Sequence, residues 1–248
     1  MGETTAWFYR SFNFVYTSYI IQNKKRLTME QLERYLEPTF TIDSDSKPIR
    51  EKINELIGDQ ENVISKARSL FYFVRDKIKF TMYVQIDLEG YYKASRTLQK
   101  GEGYCVQKAV LLTALARASG IPARLGFADF INHRLAQKYV ELQGTNAIVY
   151  HGFAELYLND RWIKTTPAYD LDMCNKYRFI PVDFDGEHDA TFQQIDQDGK
   201  PHIEYIRSHG SFQDLPHGEI ITATKEAYGQ DFIDFWYETA QRNPPTPY

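Results

Sequence analysis

In GEGYCVQKAVLLTALARASGIPARLGF, residues 101–127, a single cysteine stands at the mouth of an otherwise apolar run. Gly101, Gly103 and Tyr104 make a turn that delivers Cys105 to the first turn of a helix, where free backbone N–H groups and the helix dipole favour thiolate over thiol. The same N–H groups can stabilise the oxyanion of a tetrahedral intermediate. A free cysteine can also serve simply as a small core hydrophobe; the position at a helix start is what sets Cys105 apart. A nucleophile needs a base, and His151, at the head of a strand-like run, suits proton transfer because imidazole titrates near neutrality. His133 is the second choice. A Cys–His pair performs acyl transfer through a thioester.

A third group should orient the imidazole. HGFAELYL and RWIKTT flank Asn159-Asp160 and read as a two-residue hairpin with alternating faces. Pairing about that turn sets Ala168 opposite His151, with Thr166 and Asp170 to either side, so Asp170 is the carboxylate expected within reach. Asp129, ending the preceding strand, competes for the role. Either aspartate can instead be a turn residue. The other cysteine, Cys174, lies in an acidic stretch with Asp170 and Asp172 and is expected to be the less reactive thiol.

These residues need a scaffold. LTMEQLERYL, residues 27–36, carries apolar positions at helical spacing after Thr28, a candidate N-cap, and Pro38 ends it. IREKINELIG and NVISKARSLFYFVRDKIKF follow a turn-rich linker and repeat the pattern of amphipathic helices. Val106 to Ala118 is apolar on nearly all sides and reads as a helix buried all round, closed by Gly120 and Pro122. ARLGFADF, 123–130, reads as a strand, and TFQQIDQDGKPHIEYI, 191–206, as a second hairpin about Asp198-Gly199. NPPTPY at 243–248 is an irregular tail. Helices first and antiparallel strands after give an α+β class with a buried, cysteine-bearing helix on a sheet. The expected organisation is an N-terminal helical flank over 1–64, a catalytic core over 65–172 and an extension over 173–248, all in one folded unit.

Composition narrows the function. With 43% hydrophobic and 15% aromatic residues in 248, the chain can bury a substantial core. The net charge is −4 with Lys and Arg scattered, which argues against a nucleic-acid partner. Its longest apolar run is interrupted by Gln107, Lys108 and Arg117, too short and polar for a membrane span. No export signal is read at the N-terminus, and Ala6 stands where N-myristoylation needs Ser or Thr. Two cysteines, Cys105 and Cys174, do not make a disulfide framework, which favours a reducing, cytoplasmic setting. The histidines and cysteines show no metal-binding spacing, so no metal or other cofactor is expected.

Taken together, GEGYCVQKAVLLTALARASGIPARLGF and YHGFAELYLNDRWIKTTP resemble the transglutaminase-like superfamily, whose core has the papain-like cysteine-protease fold. The resemblance runs over roughly residues 65–172. It implies Cys105 as nucleophile and His151 as base. The family usually places an Asp four residues after the hairpin Trp; here Trp162 is followed in that register by Thr166, a third candidate for orienting His151. Gln99 stands where papain-like proteases carry a glutamine that helps hold the oxyanion. The family implies a peptide or acyl donor and an acceptor that is water or an amine. Acyl transfer to an amine is the expectation, with a hydrolysing peptidase or amidase as the alternative and a catalytically weak peptide-binding module as the other. Tyr91, Tyr92, Tyr104 and Tyr169 are candidate cleft walls, and 175–217 is candidate lid material.

Overall fold

The computed structural model describes residues 27–86 and 88–241. The part of the N-terminal flank before residue 27 and the irregular tail lie outside the described residues. The first helix, α1 (Met29–Glu33), starts where Thr28 was expected to cap it: Gln31 N–H donates to Thr28 Oγ1 and Thr28 N–H to Gln31 Oε1. Two amphipathic helices follow, α2 (Lys47–Ile57) and α3 (Val63–Lys77), the latter capped by Asn62. A two-residue strand, β1 (Lys79–Phe80), pairs in parallel with β2 (Glu102–Gly103), and between them runs α4 (Ala94–Lys100).

The buried helix is α5 (Cys105–Ala118), and every residue from Val106 to Arg117 is removed from solvent. Its leucines Leu111, Leu112 and Leu115 are fully buried, each contributing about 2 kcal/mol. Two buried cations tie it to its surroundings. Lys108 Nζ donates to the carbonyls of Arg75 and Ile78, closing the end of α3. Arg117 donates to the carbonyls of Glu37, Ala123 and Gln213, joining three distant parts of the chain.

Helix α5 packs on a four-stranded antiparallel sheet of β3 (Ala123–Asn132), β4 (Ala147–Leu158), β5 (Arg161–Thr165) and β6 (Ile203–Phe212), in the order β5-β4-β3-β6. The turn between β4 and β5 has positive φ at Asn159 and Asp160, 49° and 63°, as a two-residue hairpin twist requires. Short helices α6 (Gln137–Gln143) and α7 (Leu171–Tyr177) fill the connections. The α+β class with helix and sheet segregated is therefore the observed one.

One expectation for the C-terminal part changes. The hairpin about Asp198-Gly199 shrinks to one antiparallel bridge, Ile195 to Pro201, because Asp196 folds the turn on itself by accepting from Asp198 N–H and Lys200 N–H. The strand that follows, β6, pairs with β3 instead. Beyond it, α8 (His217–Gln241) is a long helix interrupted at Gly229, whose φ of 78° is non-helical.

Candidate active site

Cys105 is the first residue of α5 and is partly buried, whereas Cys174 is buried outright. The turn before Cys105 is fixed by Gln107, one turn into the helix, whose Oε1 accepts from Tyr104 N–H at 3.3 Å while its Nε2 donates to the carbonyl of Tyr91 at 2.9 Å. The helix start is pressed directly onto β4. A Cβ added to Gly152 would lie 2.9 Å from Val106 Cα and 3.1 Å from its Cγ2, so only glycine permits this approach. The approach brings the Gly152 backbone close to Cys105. Burial pushes the Cys105 thiol up to about 11; the N–H groups of Gly152, Val106 and Cys105 itself oppose this but do not overcome it. The thiolate expected from the helix start is thus not the resting form.

His151 immediately precedes Gly152 and is 1% exposed. Its ring lies among aromatic neighbours, 5.1 Å from Phe130 and from Phe192 and 6.4 Å from Tyr205 between centroids. Nε2 is buried with no hydrogen-bond partner among the described residues. Burial pushes the imidazole down to about 3, so it is neutral at ordinary pH. Thiol and imidazole face the same cavity as an uncharged pair.

Neither of the two expected carboxylates is free to orient His151 among the described residues. Asp170, the expected orienter, uses one oxygen to cap α7 by accepting from Met173 N–H at 2.8 Å and the other to accept from Phe80 N–H at 2.9 Å. Its charge faces Lys108, whose ammonium burial pushes down to about 7 and Asp170 pulls back up. Asp129 is corrected in the same way: Oδ1 accepts from Tyr150 N–H at 2.9 Å and pairs with His209 Nε2 at 2.7 Å. Thr166 lies just past β5 and, by continuation of the Ala154–Thr165 register, shares a sheet face with His151. Its Oγ1 is buried with no hydrogen-bond partner among the described residues, in the neighbourhood of the Tyr205 hydroxyl. Among the three candidates Thr166 alone remains uncommitted.

The remaining expectations divide. His133 is exposed, pairs with Glu204 at 3.1 Å and does not line the cavity. Gln99 is exposed on α4 and does not line the cavity, because the helix turns it outward; Gln107 is the glutamine that shapes the nucleophile turn. Tyr104 and Tyr169 line the cavity, Tyr92 is fully buried and accepts from the Tyr104 hydroxyl, and Tyr91 contributes its carbonyl.

Sequence reasoning missed two contributors. Tyr150, just before His151, has φ of 49°, a left-handed conformation that costs a bulky residue about 1–2 kcal/mol. Asp129 holds its N–H and His209 stacks on its ring at 3.9 Å, so a bulge in β4, where Val149 and Tyr150 stand opposite Asp129 alone, fixes the backbone that carries His151. The second is α8, which lays Ile220, Thr224, Tyr228, Phe232 and Trp236 along the cavity. Their constant spacing of four was the legible signal. Tyr228 fastens the helix to β4, its hydroxyl accepting from Val149 N–H at 3.0 Å and donating to the Ala147 carbonyl at 3.1 Å.

Comparison with known proteins agrees with this core. Residues 50–167 match the model of the transglutaminase-like superfamily. Among solved structures, a protein of Cytophaga hutchinsonii named a putative cysteine protease is similar at 18% identity and a TM-score of 0.49, over 78% of this chain and 50% of that one. The present chain thus spans half of that longer protein. None of the curated proteins matches the sequence. Over residues 50–167, which include both Cys105 and His151, the chain belongs to the transglutaminase-like superfamily.

Proposed function

We propose that this protein is a cysteine acyltransferase in which Cys105 and His151 work as a dyad. The observation that carries the reading is the cavity that Cys105 and His151 both line, with His151 Nε2 unpartnered among the described residues. With the thiol pushed up and the imidazole pushed down, a preformed ion pair is disfavoured, so the thiol proton passes to His151 as sulfur adds to the donor carbonyl. The tetrahedral intermediate collapses as the C–N bond of the donor amide breaks and its nitrogen takes the proton from His151. That leaves a thioester on Cys105. An acceptor amine then attacks the thioester carbonyl and gives its proton to His151; the C–S bond breaks to release the new amide, and the sulfur takes the proton back from His151 to restore the thiol.

Apolar walls and the cover of α8 favour an amine acceptor held in the cavity over water. One observation favours hydrolysis as the second reading: Cys105 keeps partial exposure, and water can reach a thioester there. The donor class is a peptide or other acyl compound. The test is product partitioning, with a glutamine-peptide or thioester donor and rising concentrations of primary amines. Saturable diversion to the amide, lost in Cys105→Ala, is expected; free acid alone across a broad amine panel moves the assignment to the hydrolase. No product of either kind would contradict the enzyme reading.

A further inference from the structure

The cavity over Cys105 has a chemical character that the acyl-transfer chemistry does not require. Among the described residues none that lines it is Lys, Arg, Asp or Glu. Phe80, Met82, Ile86, Phe130, Leu135 and Phe192 come from the core side, and the α8 stripe closes the other. Most of the polar side chains present are already engaged. Asn132 accepts from Arg134 N–H, Gln143 donates to the Thr145 carbonyl, Thr224 donates to the Ile220 carbonyl, and Tyr228 is held by β4. Of the buried polar side-chain atoms lining the cavity, two have no hydrogen-bond partner, His151 Nε2 and Trp236 Nε1. The Trp236 ring packs against Tyr104, the residue before the nucleophile, at 6.3 Å between centroids. A charged donor group would be desolvated here with no charge among the described lining residues to pair it, whereas an apolar one leaves water for matched walls.

We propose that this cavity selects acyl donors by a bulky, uncharged aliphatic or aromatic group attached next to the reacting carbonyl, with α8 as the gripping wall and Trp236 Nε1 donating to an uncharged acceptor of the donor. The inference rests on the acyl-transfer reading and names the substrate class of that same site. Residues of α8, and not only those of the core around Cys105, then determine specificity. A buried methylene is expected to raise acylation about fourfold, so a hexanoyl group should exceed an acetyl group by tenfold or more even if only part of the chain is buried.

The test is the rate of p-nitrophenolate release from acetyl, hexanoyl, 3-phenylpropanoyl and succinyl p-nitrophenyl esters by the full chain, with the acylated residue located by mass spectrometry. Hexanoyl and 3-phenylpropanoyl esters are expected to show kcat/KM at least tenfold above acetyl, with succinyl the slowest. Phe232→Asp and Ile220→Asp should each lower the hexanoyl-to-acetyl ratio by threefold or more. Acylation of Cys105 at equal rates across the series, or fastest with succinyl, overturns the inference and leaves the acyl-transfer reading standing. Absence of any acyl adduct on Cys105 overturns that reading and the inference with it.

Discussion

Asp170 has both carboxylate oxygens on backbone N–H groups and a buried lysine for company, and these contacts account for its position without any role in catalysis. Asp170→Asn should therefore keep the helix cap but lose the acceptor for Phe80 N–H and the charge facing Lys108, costing about 1–3 kcal/mol in urea unfolding, while the turnover of the folded enzyme changes less than tenfold. A fall of about 10⁴ in turnover with unchanged stability, the size seen when a triad carboxylate is removed, would return it to the triad. The uncharged state of Cys105 makes a second prediction. Because burial raises the thiol to about 11, its reaction with iodoacetamide should rise close to tenfold per pH unit between pH 7 and 9 without a plateau. A plateau below pH 8 would mean a thiolate–imidazolium pair at rest. Cys174, more deeply buried and pushed up to about 12, should label more slowly than Cys105 throughout.

At the scale of elements, the close approach of α5 to β4 brings Cys105, the proposed nucleophile, and His151, the proposed base, to one cavity, and Gly152 is the residue that permits it. Gly152→Ala should push the helix start away, destabilise the fold by about 1–3 kcal/mol and lower the acylation rate by about 10². Retention of wild-type acylation in a variant destabilised by that amount would show that the contact supports the fold alone. The buried helix, the β4–β5 hairpin and the Thr28 cap were legible because local chemistry dictates them: a stretch apolar on all sides, a turn that needs positive φ, a reciprocal cap. Cys105 does stand at the helix start expected of it, whereas His151, expected at the head of its strand, is the fifth residue of β4, because the bulge at Val149 and Tyr150 lets the strand begin at Ala147. The partner of His151 was not legible. Asp170 stands close to it in the hairpin register, but its side chain answers to Lys108 and two N–H groups brought in from β1 and α7, contacts that only the assembled chain creates. The missing strand pairing of 191–195 has a similar origin, because β3 offered β6 a longer partner than the Asp196 turn could.

Over the whole molecule, buried neutral histidines couple stability to acid. His202 is 1% exposed, stacks on Phe179 at 4.1 Å, has neither ring nitrogen hydrogen-bonded, and is pushed down by burial to about 4; His151 is pushed down to about 3. Above about pH 6.5 both are neutral folded and unfolded and add no pH dependence. As pH falls below it the unfolded chain takes up the protons first, so stability declines by about 1.4 kcal/mol per pH unit for each histidine until the folded-state value is reached. His202→Phe should remove one such increment, gaining more against urea at pH 5 than at pH 8; an equal gain at both would show that His202 titrates alike in both states. Helix α8 also acts at this scale, since it brings the far end of the described chain over the site, and its stripe of residues at spacing four was present in the sequence but had no visible destination there. The central claim is that Cys105 carries the acyl group and His151 takes its proton. It is tested most directly by mixing the protein with a thioester donor, quenching in acid at short times and mapping the adduct mass. The account predicts an acyl group on the peptide containing Cys105, none on Cys105→Ala, and formation slowed at least ~10² in His151→Ala. An adduct confined to another residue, or acylation of His151→Ala at the wild-type rate, would contradict it.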